Sequence, residues 1–233
     1  MSCFYRGDVL QILPKIPSKS VKLIYCDPPF GTTKQPWDEV LDWTILFSEF
    51  FRILTDDGTI VIHCSVPFNY KLIKEAPKPP SYSWYWKKEN STCPLLANKQ
   101  PLRIVEEILV WKNKKTTYYR QQIGDTPRAS SYMKVNDYYG KNIKQKKTIL
   151  KGKTRTSFLD IKRDFNKFST RPAEIVKLMI DSYSKKDETI LDCFCYKGLS
   201  YLFKQDRKWI GIDKYFFPDV LVNGPPKLLS PTP

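Results

Sequence analysis

The run Val21-Lys22-Leu23-Ile24-Tyr25-Cys26 is almost wholly apolar and stops at Asp27-Pro28-Pro29. A run of that length without helical period reads as a buried strand. The two prolines, which donate nothing to a ladder, end it in a rigid turn. Behind Asp42, the residues Trp43, Leu46, Phe47, Phe50, Phe51 and Leu54 recur at helical spacing. The pattern predicts a helix capped by that carboxylate and buried on one face. Asp56-Asp57-Gly58 reads as a turn, and residues 59–64 as a second buried strand. Residues 83–86 and 104–111 are further strand candidates. Pro172 suits the first turn of a helix that carries Ile175, Val176, Leu178, Met179 and Tyr183. Strands over 189–192 and 208–213 flank a short helix at 199–204, with Gly198 in the loop before it. Strands that alternate with helices predict an α/β fold, a mostly parallel sheet with helices on both faces. The reading is one domain over residues 1–222 with an insertion at 112–165. The tail 223–233 holds four prolines and is expected to be disordered.

Charge changes this picture most. The 233 residues carry a net charge of +15. Residues 112–171 hold 17 Lys and Arg against 4 Asp, a net +13, so nearly all of the surplus lies in one quarter of the chain. Tyr118, Tyr119, Tyr132, Tyr138 and Tyr139 are interleaved with it. Lysines neutralise phosphates and tyrosine rings stack on bases, so a nucleic acid is the expected partner, ahead of an acidic membrane surface. No apolar run approaches the roughly 20 residues of a bilayer span, and no charged-then-apolar leader opens the chain. The expectation is an intracellular, cytoplasmic protein with no membrane partner. The six cysteines are scattered, and the spacing of Cys193 and Cys195 does not match a zinc knuckle. Reduced, mostly buried thiols and no metal site are expected.

Three predicted strands end in an acid: Asp27, Asp192 and Asp213. In an open parallel sheet ligands bind beyond the carboxyl ends of the strands, so the three are candidates to line one crevice. Asp27-Pro28-Pro29-Phe30 has a specific use. The amino group of a nucleobase is a poor nucleophile because its lone pair is delocalised into the ring. A carboxylate and a rigidly held carbonyl that accept its two N–H bonds pull the nitrogen toward a tetrahedral shape and free the lone pair. Phe30 offers a face for the base, which must first leave its duplex. Methylation of a ring carbon needs a thiolate nucleophile. Cys93 precedes a proline, and the Pro-Cys order of that chemistry is absent, so Cys93 reads as structural. His63, on a strand, reads as a core or rim residue. No Gly-x-Gly-x-x-Gly turn follows a strand, which argues against a dehydrogenase.

These residues, in this order, resemble the amino-group DNA methyltransferases that use S-adenosylmethionine, in the permuted class called beta, whose catalytic half precedes the cofactor half. Arg6-Gly7-Asp8-Val9-Leu10 resembles the family's opening segment, and Asp27 to Phe30 its catalytic tetrapeptide. Trp37-Asp38 stands where many members carry the same pair. Gly58 to Ser65 resembles the Gly-strand-Ser element, Ser169-Thr170-Arg171-Pro172 the Thr-Gln-Lys-Pro stretch, Leu191-Asp192-Cys193-Phe194 the Leu-Asp-Pro-Phe, and Ile210-Gly211-Ile212-Asp213 the Ile-Gly-Ile-acid element. The resemblance implies a Rossmann-like methyltransferase fold with permuted motif order. It also makes 112–165 the target-recognition insertion. Asp27, Pro28, Pro29 and Phe30 would hold the target base. Asp192, Phe194 and Gly198 would surround the methionine part of the cofactor, Asp213 would take its ribose hydroxyls, and Asp8 and Val9 would meet its adenine. Thr170 and Arg171 would close the methionine end. The acid in the tetrapeptide favours the N6 position of adenine over cytosine N4. Double-stranded DNA is the implied partner, with a cognate restriction endonuclease and a homodimer left open. An RNA or cytosine methyltransferase, or a catalytically weak binding relative, remain the alternatives. One departure stands out: Tyr196 occupies the place of the first glycine in the family's cofactor loop. It would either narrow the pocket or act as a lid.

Overall fold

The computed structural model describes residues 2–92, 94–116, 118–129, 149–164, 171–216 and 227–228. The chain forms two compact units, Met1–Tyr119 with Ser157–Pro233, and Arg120–Thr156. The larger is built on a nine-stranded sheet of order β11-β1-β10-β9-β2-β3-β5-β4-β8. Its strands are β1 (Cys3–Arg6), β2 (Val21–Cys26), β3 (Leu54–Cys64), β4 (Tyr82–Thr92), β5 (Arg103–Lys112), β8 (Phe158–Asp160), β9 (Thr189–Asp192), β10 (Lys208–Asp213) and β11 (Lys227–Leu228). The first six in spatial order run parallel. β5 is antiparallel to both β3 and β4, and β8 joins β4 in parallel. The helices are α1 (Val9–Ile12), α2 (Trp43–Ile53), α3 (Phe68–Glu75), α4 (Ala173–Tyr183) and α5 (Leu199–Leu202).

Every residue of β2 is buried, as a strand covered on both faces requires. Side chains alternate along it. Ile24 and Cys26 join a core with α1, α2 and α3, while Leu23 and Tyr25 join a second core with α4 and α5. The expected helix after Asp42 forms: Asp42 accepts from the Ile45 N–H at 3.1 Å, and Trp43, Leu46, Phe47 and Phe50 are fully buried. Burying each such side chain is worth about 1.5–3 kcal/mol. The helix from Pro172 also forms, and Ile175, Val176, Leu178, Met179 and Tyr183 are all buried.

The turn expected at Asp56-Asp57-Gly58 is instead a bulge inside β3. Val21 pairs with Leu54 but Leu23 pairs with Thr59, so β3 carries extra residues against β2. The ammonium of buried Lys22 supplies a reason. It meets Asp57 at 2.5 Å and Glu188 at 3.7 Å, and Asp57 reaches it from the bulge. β1 went unpredicted because four residues flanked by polar positions carry too little periodicity. In the tail expected to be disordered, β11 pairs with β1, and tail positions 223–226 and 229–233 lie outside the described residues.

The smaller unit holds an antiparallel pair, β6 (Gln122–Ala129) and β7 (Ile149–Thr154), with Gln122 opposite Thr154 and Ala129 opposite Ile149. It falls inside the expected insertion, whose later part returns to the main sheet as β8. Residues 130–148, with Tyr132, Tyr138 and Tyr139, lie outside the described residues.

Candidate active site

Parallel strands bring their carboxyl ends to one edge, and here that edge is acidic. In spatial order β1, β10, β9 and β2 deliver Asp8, Asp213, Asp192 and Asp27. The register fixes this: Arg6 lies beside Asp213, Gly211 beside Asp192, and Asp192 beside Tyr25. From β2 the chain passes through α2 to β3 on one side, and from β9 through α5 to β10 on the other. The helices of these two crossovers pack against different cores. The neighbours β2 and β9 therefore flank a topological switch point, where an open α/β sheet leaves a crevice.

A cavity of about 580 Å³ opens at this edge, within the range of a small-molecule site. Asp27, Pro28, Pro29 and Phe30 line it together with Asp8, Val9, Arg171, Phe194 and Asp213. Asp192 and Gly198 do not. Gly198 precedes α5 with φ of 84°, and Asp192 is buried behind the wall. Thr170 lies outside the described residues.

The turn after β2 is held by a residue downstream of it. Asp38 accepts the backbone N–H of Gly31 at 2.8 Å on one oxygen and those of Thr32 at 2.8 Å and Thr33 at 2.6 Å on the other. Although burial raises its pKa, bonds from Thr33, Gly31 and Thr32 hold the carboxyl below its usual range. Gly31 has φ of 66°, and a Cβ there would come to 3.0 Å from Val40 Cγ2, so glycine suits the position on two counts. Phe30 stacks on Phe68 with centroids 4.9 Å apart, which occupies one face of its ring.

Asp213 organises the opposite wall. Its Oδ2 accepts from the Tyr196 N–H at 2.8 Å, and its Oδ1 from the N–H groups of Tyr215 and Phe216, each at 2.9 Å. Burial, only partly offset by these bonds, raises its pKa. Tyr196 keeps φ of 47°, the left-handed conformation that glycine adopts freely, and its ring packs on Phe216 at 4.4 Å. The loop thus gives a tyrosine the backbone conformation of a glycine, and Tyr196 is among the residues that line the cavity. Glu39 meets Lys214 Nζ at 2.7 Å and accepts from the Tyr215 hydroxyl, tying the Asp27 side of the cavity to the Asp213 side.

Asp192 accepts from Ser200 Oγ, which in turn accepts from Trp209 Nε1 at 2.9 Å. Its Oδ1 is buried without a partner among the described residues. Burial pushes this carboxyl up to about 7, with the charges of Asp27 and Asp213 adding to the rise and the Ser200 bond opposing it.

Glu106 escaped the sequence reading, though two glutamates inside an otherwise apolar strand were a signal. It is 2% exposed. It meets His63 Nδ1 at 3.2 Å, Lys88 Nζ at 3.3 Å and Arg171 Nε at 3.0 Å. Burial alone would raise its pKa, but the Arg171 charge, His63 and Lys88 bring it down to about 2. An ionised carboxylate only accepts, so His63 Nδ1–H donates to it, while Nε2 is hydrogen-bonded with the Tyr25 hydroxyl at 3.0 Å. His63 is thus a satisfied core residue. Arg171 Nη2 donates to Asp27 Oδ1 at 2.7 Å. No disulfide and no metal-holding cluster of His, Cys, Asp and Glu occurs among the described residues, and no described helix is long and apolar enough to cross a membrane. Cys93 lies outside the described residues.

A sequence model of a DNA methylase family matches residues 21–216. The type II methyltransferase M.BamHI of Bacillus amyloliquefaciens is 22% identical over 226 residues, which cover 90% of this chain and 53% of that protein. The chain spans about half the length of that curated relative. Among solved structures, an M1.HpyAVI–SAM complex superposes with a TM-score of 0.59 at 18% identity, over 92% of this chain and 94% of that one. The cytosine-N4-specific PvuII DNA methyltransferase superposes with a TM-score of 0.61 at 18% identity, over 91% and 81%. At that identity the likeness concerns the fold, which is the Rossmann-like α/β fold of methyltransferases.

Proposed function

We propose, since the chain belongs to the DNA methylase family of N6 and N4 amino-methyltransferases, that it transfers a methyl group from S-adenosylmethionine to the N6 amino group of a flipped adenine in double-stranded DNA. One observation carries the reading: a single cavity is walled on one side by Asp27-Pro28-Pro29-Phe30 and on the other by Phe194, Asp213 and Asp8. Base and methyl donor therefore have adjoining seats.

The donor set fits S-adenosylmethionine. Asp213 is an acid at a strand end, suited to ribose hydroxyls, and its two oxygens retain acceptor capacity beyond their three backbone bonds. Asp8 and Val9 adjoin it for the adenine ring. Phe194 gives an apolar surface to the methionine part, with Asp192 and Gly198 behind. When bound, S-adenosylmethionine supplies an electrophilic methyl group on a sulfonium sulfur.

The chain's own residues do the rest. Asp27 and the rigid carbonyl of Pro28 accept the two amino N–H bonds and free the nitrogen lone pair. Phe30, which lines the cavity, offers an aromatic contact to the base. No thiolate is required, consistent with Cys26 and Cys193, whose burial pushes both thiols well up. The carboxylate at position 27 supports adenine over cytosine.

The test is mass spectrometry of nucleosides from host DNA and RNA after expression of the protein and of its Asp27→Ala variant. N6-methyladenine in DNA, lost in the variant, is the expected result. N4-methylcytosine would move the substrate to cytosine, a methylated base in RNA alone would move it to RNA, and no methylated base would overturn the reading.

A further inference from the structure

Resemblance assigns Arg171 to the methionine end of the cofactor, but its guanidinium is already committed. One arm donates to Asp27 Oδ1 at 2.7 Å, and Nε lies 3.0 Å from Glu106 Oε1. Its side chain is 13% exposed, and Cζ lies 6.0 Å from the Phe30 ring centroid. Glu106 is itself gripped by His63 from β3 and Lys88 from β4. A planar guanidinium held between two carboxylates has little rotational freedom, and neither has the carboxylate it grips. Asp27 lines the cavity with Oδ2 uncommitted among the described residues.

Resting on the methyl-transfer reading above, we propose that Arg171, braced by Glu106, is a positioning residue for Asp27. It occupies Oδ1 and fixes the side chain so that Oδ2 remains to accept the target amino N–H. Arg171 then serves the target-base half of the cavity and contributes little to holding the cofactor. Glu106 acts one step further back, as the anchor that keeps the guanidinium in place. Arg171, just before α4, joins the turn after β2 to Glu106 of β5, two strands away in the sheet.

The experiment compares the wild-type protein with R171Q, R171K and E106Q. Titration calorimetry gives the dissociation constant for S-adenosylmethionine, and tritiated methyl transfer to DNA gives kcat at saturating cofactor. R171Q is expected to lower kcat by about tenfold to a hundredfold, the scale of a misplaced reacting group, with cofactor affinity changed by less than about threefold (~0.65 kcal/mol). E106Q is expected to do the same more weakly. R171K keeps the buried charge but loses the planar fork. It keeps the comparison open should R171Q fail to fold, and it is expected to lose kcat less at unchanged affinity. A tenfold or greater loss of cofactor affinity in R171Q or R171K at unchanged kcat overturns the proposal, as does full activity of both. Should the wild-type protein transfer no methyl to DNA or RNA, the functional reading fails by itself. The Asp27 rotamer in a crystal structure of R171K or E106Q then decides this inference: turned from its wild-type setting supports it, unmoved overturns it.

Discussion

Asp192 ends β9 with one oxygen accepting from Ser200 and the other buried without a described partner. Its pKa of about 7 is set mainly by burial, and this gives stability a definite dependence on pH. Below about pH 4 the group is neutral in both the folded and the unfolded chain. As pH rises toward 7 the unfolded chain ionises it freely while the folded chain resists, so stability falls across that window and the loss is complete above it. Asp192→Asn keeps an acceptor for Ser200 and removes the titration. Urea unfolding is expected to find the variant more stable than wild type at pH 8, by on the order of 3 kcal/mol, with little difference at pH 4. An advantage that does not grow with pH would contradict this. Glu106 has the opposite sign. Its pKa of about 2 gives stability present above the usual carboxylate range and lost as pH falls toward 2.

At the scale of elements, legibility followed the range of the interaction. β2, α2, α4, β9 and β10 could be read from local pattern, because burial on one or both faces leaves its period in the sequence. The acids at the ends of β2, β9 and β10 could be read for the same reason. The bulge in β3 could not, since it answers to Lys22 on another strand. Nor could the bracing of Asp27, because Arg171 meets it from 144 positions away in sequence, and Glu106 reaches Arg171 only once β5 has reversed against β3. Asp38 is intermediate. Resemblance marked the Trp37-Asp38 pair, and the structure gives Asp38 its task, accepting three consecutive amides of the loop that follows Phe30. Asp38→Ala leaves those amides without their acceptor. Each lost charge-assisted bond is worth about 1.5–3 kcal/mol net of exchange with water. Hydrogen exchange at Gly31, Thr32 and Thr33 is expected to accelerate at least tenfold while the amides of β9 and β10 are unchanged. Equal protection in variant and wild type would mean the loop is held by something else.

For the whole molecule, the distribution of its charge is a stronger statement than its net value. The sheet has two edges. The amino ends of β2, β9 and β10 carry Lys19, Lys186 and Lys208, opposite the edge where the acids meet the cavity. Part of the surplus over 112–171 lies in the smaller unit. If DNA is gripped there, binding should depend on where positive charge sits. A triple variant with Gln at Lys144, Lys147 and Lys151 and another with Gln at Lys19, Lys186 and Lys208 each lower the net charge from +15 to +12. A bulk electrostatic effect would weaken DNA binding equally in the two. Contact with phosphates would not, because each contact releases counterions and contributes about 0.9 to the slope of log K against log salt on duplex DNA. Fluorescence anisotropy across a salt series is expected to give the insertion variant a shallower slope than wild type, by about 2 or more, and to leave the slope of the edge variant unchanged. Parallel lines for wild type and the insertion variant would remove residues 144–151 from the contact surface. An equal drop in both variants would assign the affinity to net charge rather than to location.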